Sequence, residues 1–279
     1  MVPTQGQIWV DGYPASALPL PDRGLDFGDG IFETLLLLEG KPLYLDLHLQ
    51  RLQQGLLVLG FPNCLDEVSM QIHRALSAGD FAGEFVMRVT VTRGAGPRGY
   101  LPPSDAKPRV IIAVNKRTTG SFTQMPAPAH LALANIRWGS QPQLAGIKHL
   151  NRLEQVMAAR ERKAAGVDEV LMLAQQGQVI SVSAGNLFIR EADGLVTPAL
   201  VDCGVHGTRR RLIMEKLAPA LGLQVREAEI GLAQLEAAEE VFFCNALVGV
   251  CPVGSFAGAR WQRHDTCAAL HQLMCQGGQ

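Results

Sequence analysis

Apolar positions along the chain change their period several times, and each change predicts an element. Residues 31–38 (IFETLLLL) are almost unbroken apolar, Glu39 and Gly40 interrupt, and 43–45 resume. That pattern predicts a hairpin closed by a glycine turn. From 46 to 59, Leu47, Leu49, Leu52, Leu56, Val58 and Leu59 recur at mostly helical spacing, and 66–77 predicts a second amphipathic helix. The runs 85–92 and 110–114 are β-branched, as buried strands are, and 7–11 alternates weakly. Residues 116–129 lose all periodicity and gain Gly, Pro and Ser, which marks a linker. Beyond it the pattern predicts a strand at 131–136, a helix from Asn151, strands near 169–173 and 186–189, a helix over 208–221, a strand near 241–244 and a C-terminal helix. Strands and helices mix without regular alternation. This predicts an α/β (α+β) chain of two domains, 1–115 and 130–279, rather than a Rossmann sheet or a (β/α)8 barrel.

Composition narrows the class. With 47% apolar and 18% charged residues, the 279-residue chain has ample material for a core and none of the signature of disorder. A net charge of -1 lacks the basic excess of a nucleic-acid binder. Apolar runs are far too short for a membrane span, and the first residues lack the features of a leader, so a cytoplasmic protein is expected. The six cysteines (64, 203, 244, 251, 267 and 275) form no C-x-x-C pair and no zinc-like spacing with His; reduced thiols and no metal site are expected.

One familiar motif fails on its context. Gly94-Ala-Gly-Pro-Arg-Gly99 matches G-x-G-x-x-G after a good strand, but Tyr100-Leu-Pro-Pro follows, which cannot open the helix that a dinucleotide pyrophosphate rests on. No Asp or Glu occurs from 106 to 135 to hold a ribose. The segment reads instead as a glycine-rich loop presenting Arg98 and Tyr100.

Lys148 is the chemically suggestive residue. It is one of only six lysines among 25 basic residues and stands in the apolar segment LAGIKHL. Asn151 and Glu154 have capping-box spacing, so a helix start just after it is expected. A helix N-terminus and partial burial both disfavour an ammonium there. A neutral amine suits addition to a carbonyl. Further on, Gly204-Val-His-Gly207 precedes a helix opening with Thr208 and Arg209, a place where free backbone N–H groups can hold a phosphate. Arg51, on the polar side of the 46–59 helix, can add a guanidinium. A reactive lysine with a phosphate cup suits pyridoxal 5'-phosphate (PLP).

In these segments the chain resembles the fold-type IV PLP enzymes: DRGLDFGDGIFET at 22–34, HLQRL at 48–52, the Lys148 segment, and NLF at 186–188. That family includes branched-chain and D-amino-acid aminotransferases and 4-amino-4-deoxychorismate lyases. LAGIKHLNRLEQV at 144–156, RGAGPRGY at 93–100 and CNAL at 244–247 are most similar to the lyases; His149 and Arg152 belong to that pattern. The resemblance implies a smaller N-terminal α/β domain and a larger C-terminal pseudo-barrel, and a homodimer whose site lies between the domains. Lys148 would be the catalytic residue and hold the cofactor covalently. Arg51, Gly207, Thr208 and Arg209 would bind its phosphate, with Asn245 beside it. Arg98, Tyr100, Asn151, Ala246 and Leu247 would lie near the substrate.

One departure from the family stands out. In GQVISVSAGN at 177–186, Ser181 occupies the position where the family normally places the Glu that pairs with the pyridine nitrogen. A hydroxyl there implies a weaker electron sink, which argues for an elimination over a transamination. The implied activity is PLP-dependent conversion of 4-amino-4-deoxychorismate to 4-aminobenzoate and pyruvate, a step of folate biosynthesis. The alternatives are an aminotransferase of the same fold and a PLP-binding protein without catalysis.

Overall fold

The computed structural model describes residues 6–277, which divide into two compact units. The first comprises residues up to 119 together with 147–151; the second comprises 120–146 and 152 onward.

In the first unit the elements run β1 (Gln7–Val10), β2 (Tyr13–Pro14), α1 (Arg23–Phe27), β3 (Gly30–Leu38), β4 (Lys41–Pro42), α2 (Leu45–Val58), α3 (Leu65–Ser77), β5 (Glu84–Thr92) and β6 (Arg109–Lys116). The strands form one antiparallel sheet in the order β2-β1-β6-β5-β3-β4. A hairpin turns at Glu39 and Gly40, both at positive φ, as expected, but its return strand is β4 at Lys41–Pro42 and not 43–45, where Leu45 already opens α2; Leu43 N–H still donates to Leu36 O. Helix α2 buries His48, Leu52, Gly55 and Leu56, and α3 buries Val68, Gln71, Ile72 and Ala75, each a single stripe at helical spacing. Those stripes meet Leu35, Leu37, Met87, Val89, Ile112 and Val114 of the sheet in one core. Residues 93–108 hold neither helix nor strand, so no helix follows Gly99.

The second unit contains β7 (Ala129–Leu133), α4 (Leu153–Ala165), β8 (Glu169–Leu173), β9 (Val179–Val182), β10 (Gly185–Glu191), β11 (Gly194–Pro198), α5 (Thr208–Leu212), α6 (Ala218–Ala220), β12 (Val225–Ala228), α7 (Leu232–Glu236), β13 (Glu240–Asn245), β14 (Gly249–Phe256), β15 (Ala259–Arg260) and α8 (Asp265–Gln276). Strand neighbours run β10-β13-β14-β7-β8-β9, and β9 pairs back to β10, closing a six-stranded ring. The expected pseudo-barrel is therefore present. Leu187, Ile189, Val241, Phe243, Cys251 and Val253 share one core cluster, while Phe188 and Phe242 stack at 5.2 Å on the other face. Strands buried on both faces show no alternation, which is why β9, β11 and β14 left little mark on the sequence pattern.

One helix expectation is met and one is corrected. The helix expected over 208–221 runs continuously from Thr208 to Ala220, with a π-helical turn (Ile213–Leu217) between α5 and α6, where Pro219 supplies no backbone donor. The capping box at Asn151 does not form. Arg152 occupies the cap of α4 with no side-chain bond, and Glu154 accepts from Gly139 N–H at 2.8 Å instead.

Among the described residues, no helix is long and apolar enough to cross a membrane, and no cluster of His, Cys, Asp or Glu has metal-binding geometry. Among the described residues, none of the six cysteines is joined in a disulfide. Burial pushes Cys203 up to about 11 and Cys244 and Cys251 up to about 12, which makes them poor nucleophiles.

Candidate active site

Lys148 is positioned by a strand. Phe32 N–H donates to Lys148 O (3.0 Å), Leu150 N–H donates to Gly30 O (3.0 Å), and Ile31 bridges His149. Residues 147–151 thus lie as an extended strap along the free side of β3. Helix α4 begins at Leu153 and not at the expected Asn151. The Lys148 side chain is half-buried, with Nζ 4.4 Å from the centroid of the Phe32 ring. The Arg88 guanidinium lies 3.9 Å from the same centroid. Ile147 wedges against Gly55 of α2, where any Cβ would meet Ile31 at 3.3 Å.

Arg51 hangs from the next residue of β3. Its Nε donates to Glu33 Oε1 (2.7 Å) and its Nη2 to Glu33 Oε2 (2.6 Å), while His48 Nδ1 lies 2.6 Å from the same Oε2. His48 and Arg51 share a face of α2 because they are three residues apart. Burial alone would raise the Glu33 carboxyl. The Arg51 charge and the hydrogen bonds from His48 and Arg51 outweigh it and hold the group down at about 2.

The Arg98–Tyr100 turn is anchored by Arg23. That buried guanidinium donates to Gly99 O (2.9 Å), Tyr100 O (2.7 Å) and Asp29 Oδ2 (2.9 Å). Asp29 also receives Arg93, which reaches on to Leu59 O and Gly60 O. Arg98 is exposed, and the Tyr100 ring, 86% exposed, leans on Phe27 at 5.5 Å. Asn151 packs its side chain onto Gly28, a left-handed residue at the end of α1. Lys148, Arg51, Arg98, Tyr100 and Asn151 therefore all belong to the first unit.

The remaining candidates gather in the second unit at one end of the ring. Ser181 faces Asn186 across β9 and β10, and Asn186 faces Cys244 across β10 and β13. Asn186 Nδ2 donates to Val205 O (2.8 Å), and its Oδ1 packs so tightly on Gly207 that a Cβ there would come within 2.0 Å. Gly207 is the N-cap of α5, and Thr208 and Arg209 form the first turn that follows it. Arg209 is fully buried and its Nη2 reaches Ala246 O at 3.5 Å. Asn245 secures its own turn: Oδ1 accepts from Leu247 and Val248 N–H, and Nδ2 donates to Ala184 O. Ser181 is buried and accepts from Trp138 Nε1–H at 3.0 Å. Gly146, two residues before Lys148, pairs with this same region: its N–H donates to Gly204 O and its O accepts from His206 N–H.

Comparison with known proteins then fixes the family. The amino-transferase class IV family model matches residues 30–256. The chain belongs to the aminotransferase class IV family. An aminodeoxychorismate lyase of Vibrio harveyi is 33% identical over 90% of this class IV chain and 91% of its own length. The crystal structure of 4-amino-4-deoxychorismate lyase from Pseudomonas aeruginosa is 36% identical, with a TM-score of 0.89 over 96% of this chain and 98% of its own. The branched-chain aminotransferase of Thermoproteus uzoniensis shares the fold, with a TM-score of 0.86 over 97% of this chain and 93% of its own at 23% identity.

Several residues that hold the candidates in place within each unit escaped the sequence reading. Glu33 was signalled as the one acid inside the apolar run 31–38. Arg23 and Asp29 lay within the quoted motif without a role. Trp138 sits in a short irregular segment, and its contact with Ser181 joins positions 43 residues apart, which no local pattern reveals.

Proposed function

We propose that this class IV enzyme converts 4-amino-4-deoxychorismate to 4-aminobenzoate and pyruvate with pyridoxal 5'-phosphate as cofactor, as a homodimer in the cytoplasm. The observation that carries the reading is the extent of likeness to the two lyases, over nine-tenths or more of both chains. The donor set fits the cofactor: a half-buried amine at Lys148, a fixed guanidinium at Arg51, and a glycine-capped helix start at Gly207, Thr208 and Arg209. Lys148 would hold its aldehyde carbon. Arg51 and the two amides would hold its phosphate. When bound, PLP supplies a sink for negative charge on the carbon that carries the substrate amine.

The chain's own groups supply the rest. The strap keeps Lys148 fixed on β3, so that its amine, once free, takes the proton from that carbon as general base. The enolpyruvyl ether then leaves as pyruvate once protonated, and the remaining ring becomes aromatic. Arg98 on its anchored turn is suited to a substrate carboxylate, with Tyr100, Asn151, Ala246 and Leu247 shaping the surroundings. The Asn245 side chain, committed to its own turn, serves by holding Ala246 and Leu247 in place. Exposed Leu20, Leu25, Tyr100 and Leu101 on the first unit support a second copy covering that surface.

The deciding experiment incubates purified protein with 4-amino-4-deoxychorismate and no amino acceptor. Release of 4-aminobenzoate and pyruvate in equal amounts is expected. Turnover that appears only when a 2-oxo acid and an amino acid are paired would make the protein an aminotransferase instead.

A further inference from the structure

Ser181 and Trp138 form a buried polar pair in the second unit whose hydrogen-bond arithmetic is incomplete. An indole N–H only donates, so the direction of the 3.0 Å contact is fixed: Trp138 gives and Ser181 Oγ receives. A serine hydroxyl then keeps one proton to give away. Among the described residues, no acceptor takes that proton, although Ser181 is only 4% exposed. A buried hydroxyl of this kind ordinarily finds a partner.

The pair also has an address. Ser181 is the cross-strand neighbour of Asn186, the residue that holds Val205 and packs on Gly207 at the start of α5. The open donor and the helix start assigned to the phosphate thus share one end of the ring. We propose that Trp138 fixes the Ser181 hydroxyl as a donor, and that this donor serves the ring nitrogen of the bound cofactor in its unprotonated form. The proposal rests on the PLP reading above.

Hydrogen-bond balance favours that form. An unprotonated ring nitrogen carries a lone pair and accepts the Ser181 proton, so every group is satisfied. A protonated ring nitrogen would bring a second donor onto an oxygen that already receives Trp138 and would leave the hydroxyl proton without an acceptor. Trp138 is therefore a positioning residue, acting through Ser181. The consequence is a weaker electron sink, which suits an elimination driven by formation of an aromatic ring and suppresses amino transfer.

The test reads the cofactor, not turnover. The holoenzyme is prepared with PLP labelled with nitrogen-15 at the ring nitrogen, and its resonance is recorded at neutral pH for the unaltered protein and for Ser181→Glu, Ser181→Ala and Trp138→Phe. The expected result is an unprotonated resonance in the unaltered protein, a shift to the pyridinium position in Ser181→Glu, and a displacement from the unaltered position in both other variants. A pyridinium resonance in the unaltered protein overturns the proposal and leaves the PLP reading intact. An unmoved resonance in folded Trp138→Phe overturns the role of Trp138. A chain that binds no PLP overturns both. The unaltered protein and Ser181→Ala decide the matter even if the tryptophan variant does not fold.

Discussion

In the first unit Arg51 and the Arg98–Tyr100 turn are placed by buried charge: Glu33 ties Arg51 to His48, and Asp29 ties Arg23 to Arg93. In the second, Ser181, Gly207 and the Asn245 turn are placed by neutral donors and backbone: Trp138 on Ser181, Asn186 on Val205, and Asn245 on its own turn. The two schemes fail differently. A buried ion pair loses several kcal/mol when one member is removed, because the survivor keeps its desolvation cost. A neutral hydrogen bond is worth about 1 kcal/mol and is indifferent to moderate pH. Charge gives the first unit stiffness where Arg51 is held; in the second, the contact to Ser181 itself is a neutral one.

The largest effect should come from Lys148→Ala. Loss of a group proposed both to hold the cofactor and to move a proton should lower kcat by at least about 10³-fold, within the range for general acid–base and nucleophilic groups. Its Tm should move little, because the strap is held through backbone atoms. Next is Glu33→Gln, which leaves the Arg51 guanidinium and His48 without their anion at little change in volume. A loss of about 3–5 kcal/mol in denaturant unfolding is expected. The same substitution tests the pH prediction. Glu33 is held down from 4.5 to about 2 in the fold, so its contribution is complete above 4.5 and disappears as pH falls through about 2. Roughly 3 kcal/mol of acid-sensitive stability follows from that difference. A variant whose stability still falls as steeply between 4.5 and 2 would assign the acid limb to other carboxylates.

Gly146→Ala should cost about 1–3 kcal/mol, since φ is +82° and a Cβ would strike the His206 ring at 2.7 Å. Trp138→Phe should cost about 1 kcal/mol, with the same loss at pH 5 and pH 8; a pH-dependent loss would break the contrast between the units. The smallest effect is on thiols. Cys203, Cys244 and Cys251 should react with a thiol reagent at pH 8 far more slowly than a free cysteine does, at a rate set by local opening.

What could be read in the sequence follows from the range of the interactions. Strand β3 with its glycine turn, α2 and α3 are written in local periodicity and formed, although the return strand fell at 41–42 and not at 43–45. Lys148 and Arg51 stood out as chemistry against an apolar background. The strap did not, because residues 147–151 gain their extended form from hydrogen bonds to β3 more than a hundred positions away. The closure of the ring through β9 and β10 was equally hidden, since strands buried on both faces carry no alternation. Asn151 and Glu154 show the opposite failure. Their spacing is local and suggestive, yet Asn151 packs against Gly28 and Glu154 accepts from Gly139 N–H instead.

The strap has a consequence for anyone who would cut this protein. A fragment ending at residue 119 would carry every helix of the first unit and all six of its strands, yet would leave Phe32 N–H and Gly30 O without the partners that Lys148 and Leu150 supply. An open strand edge of that kind is a template for other chains. Such a fragment should self-associate, and a short synthetic peptide spanning 144–153, added in trans, should restore a monomer by taking the vacant place on β3.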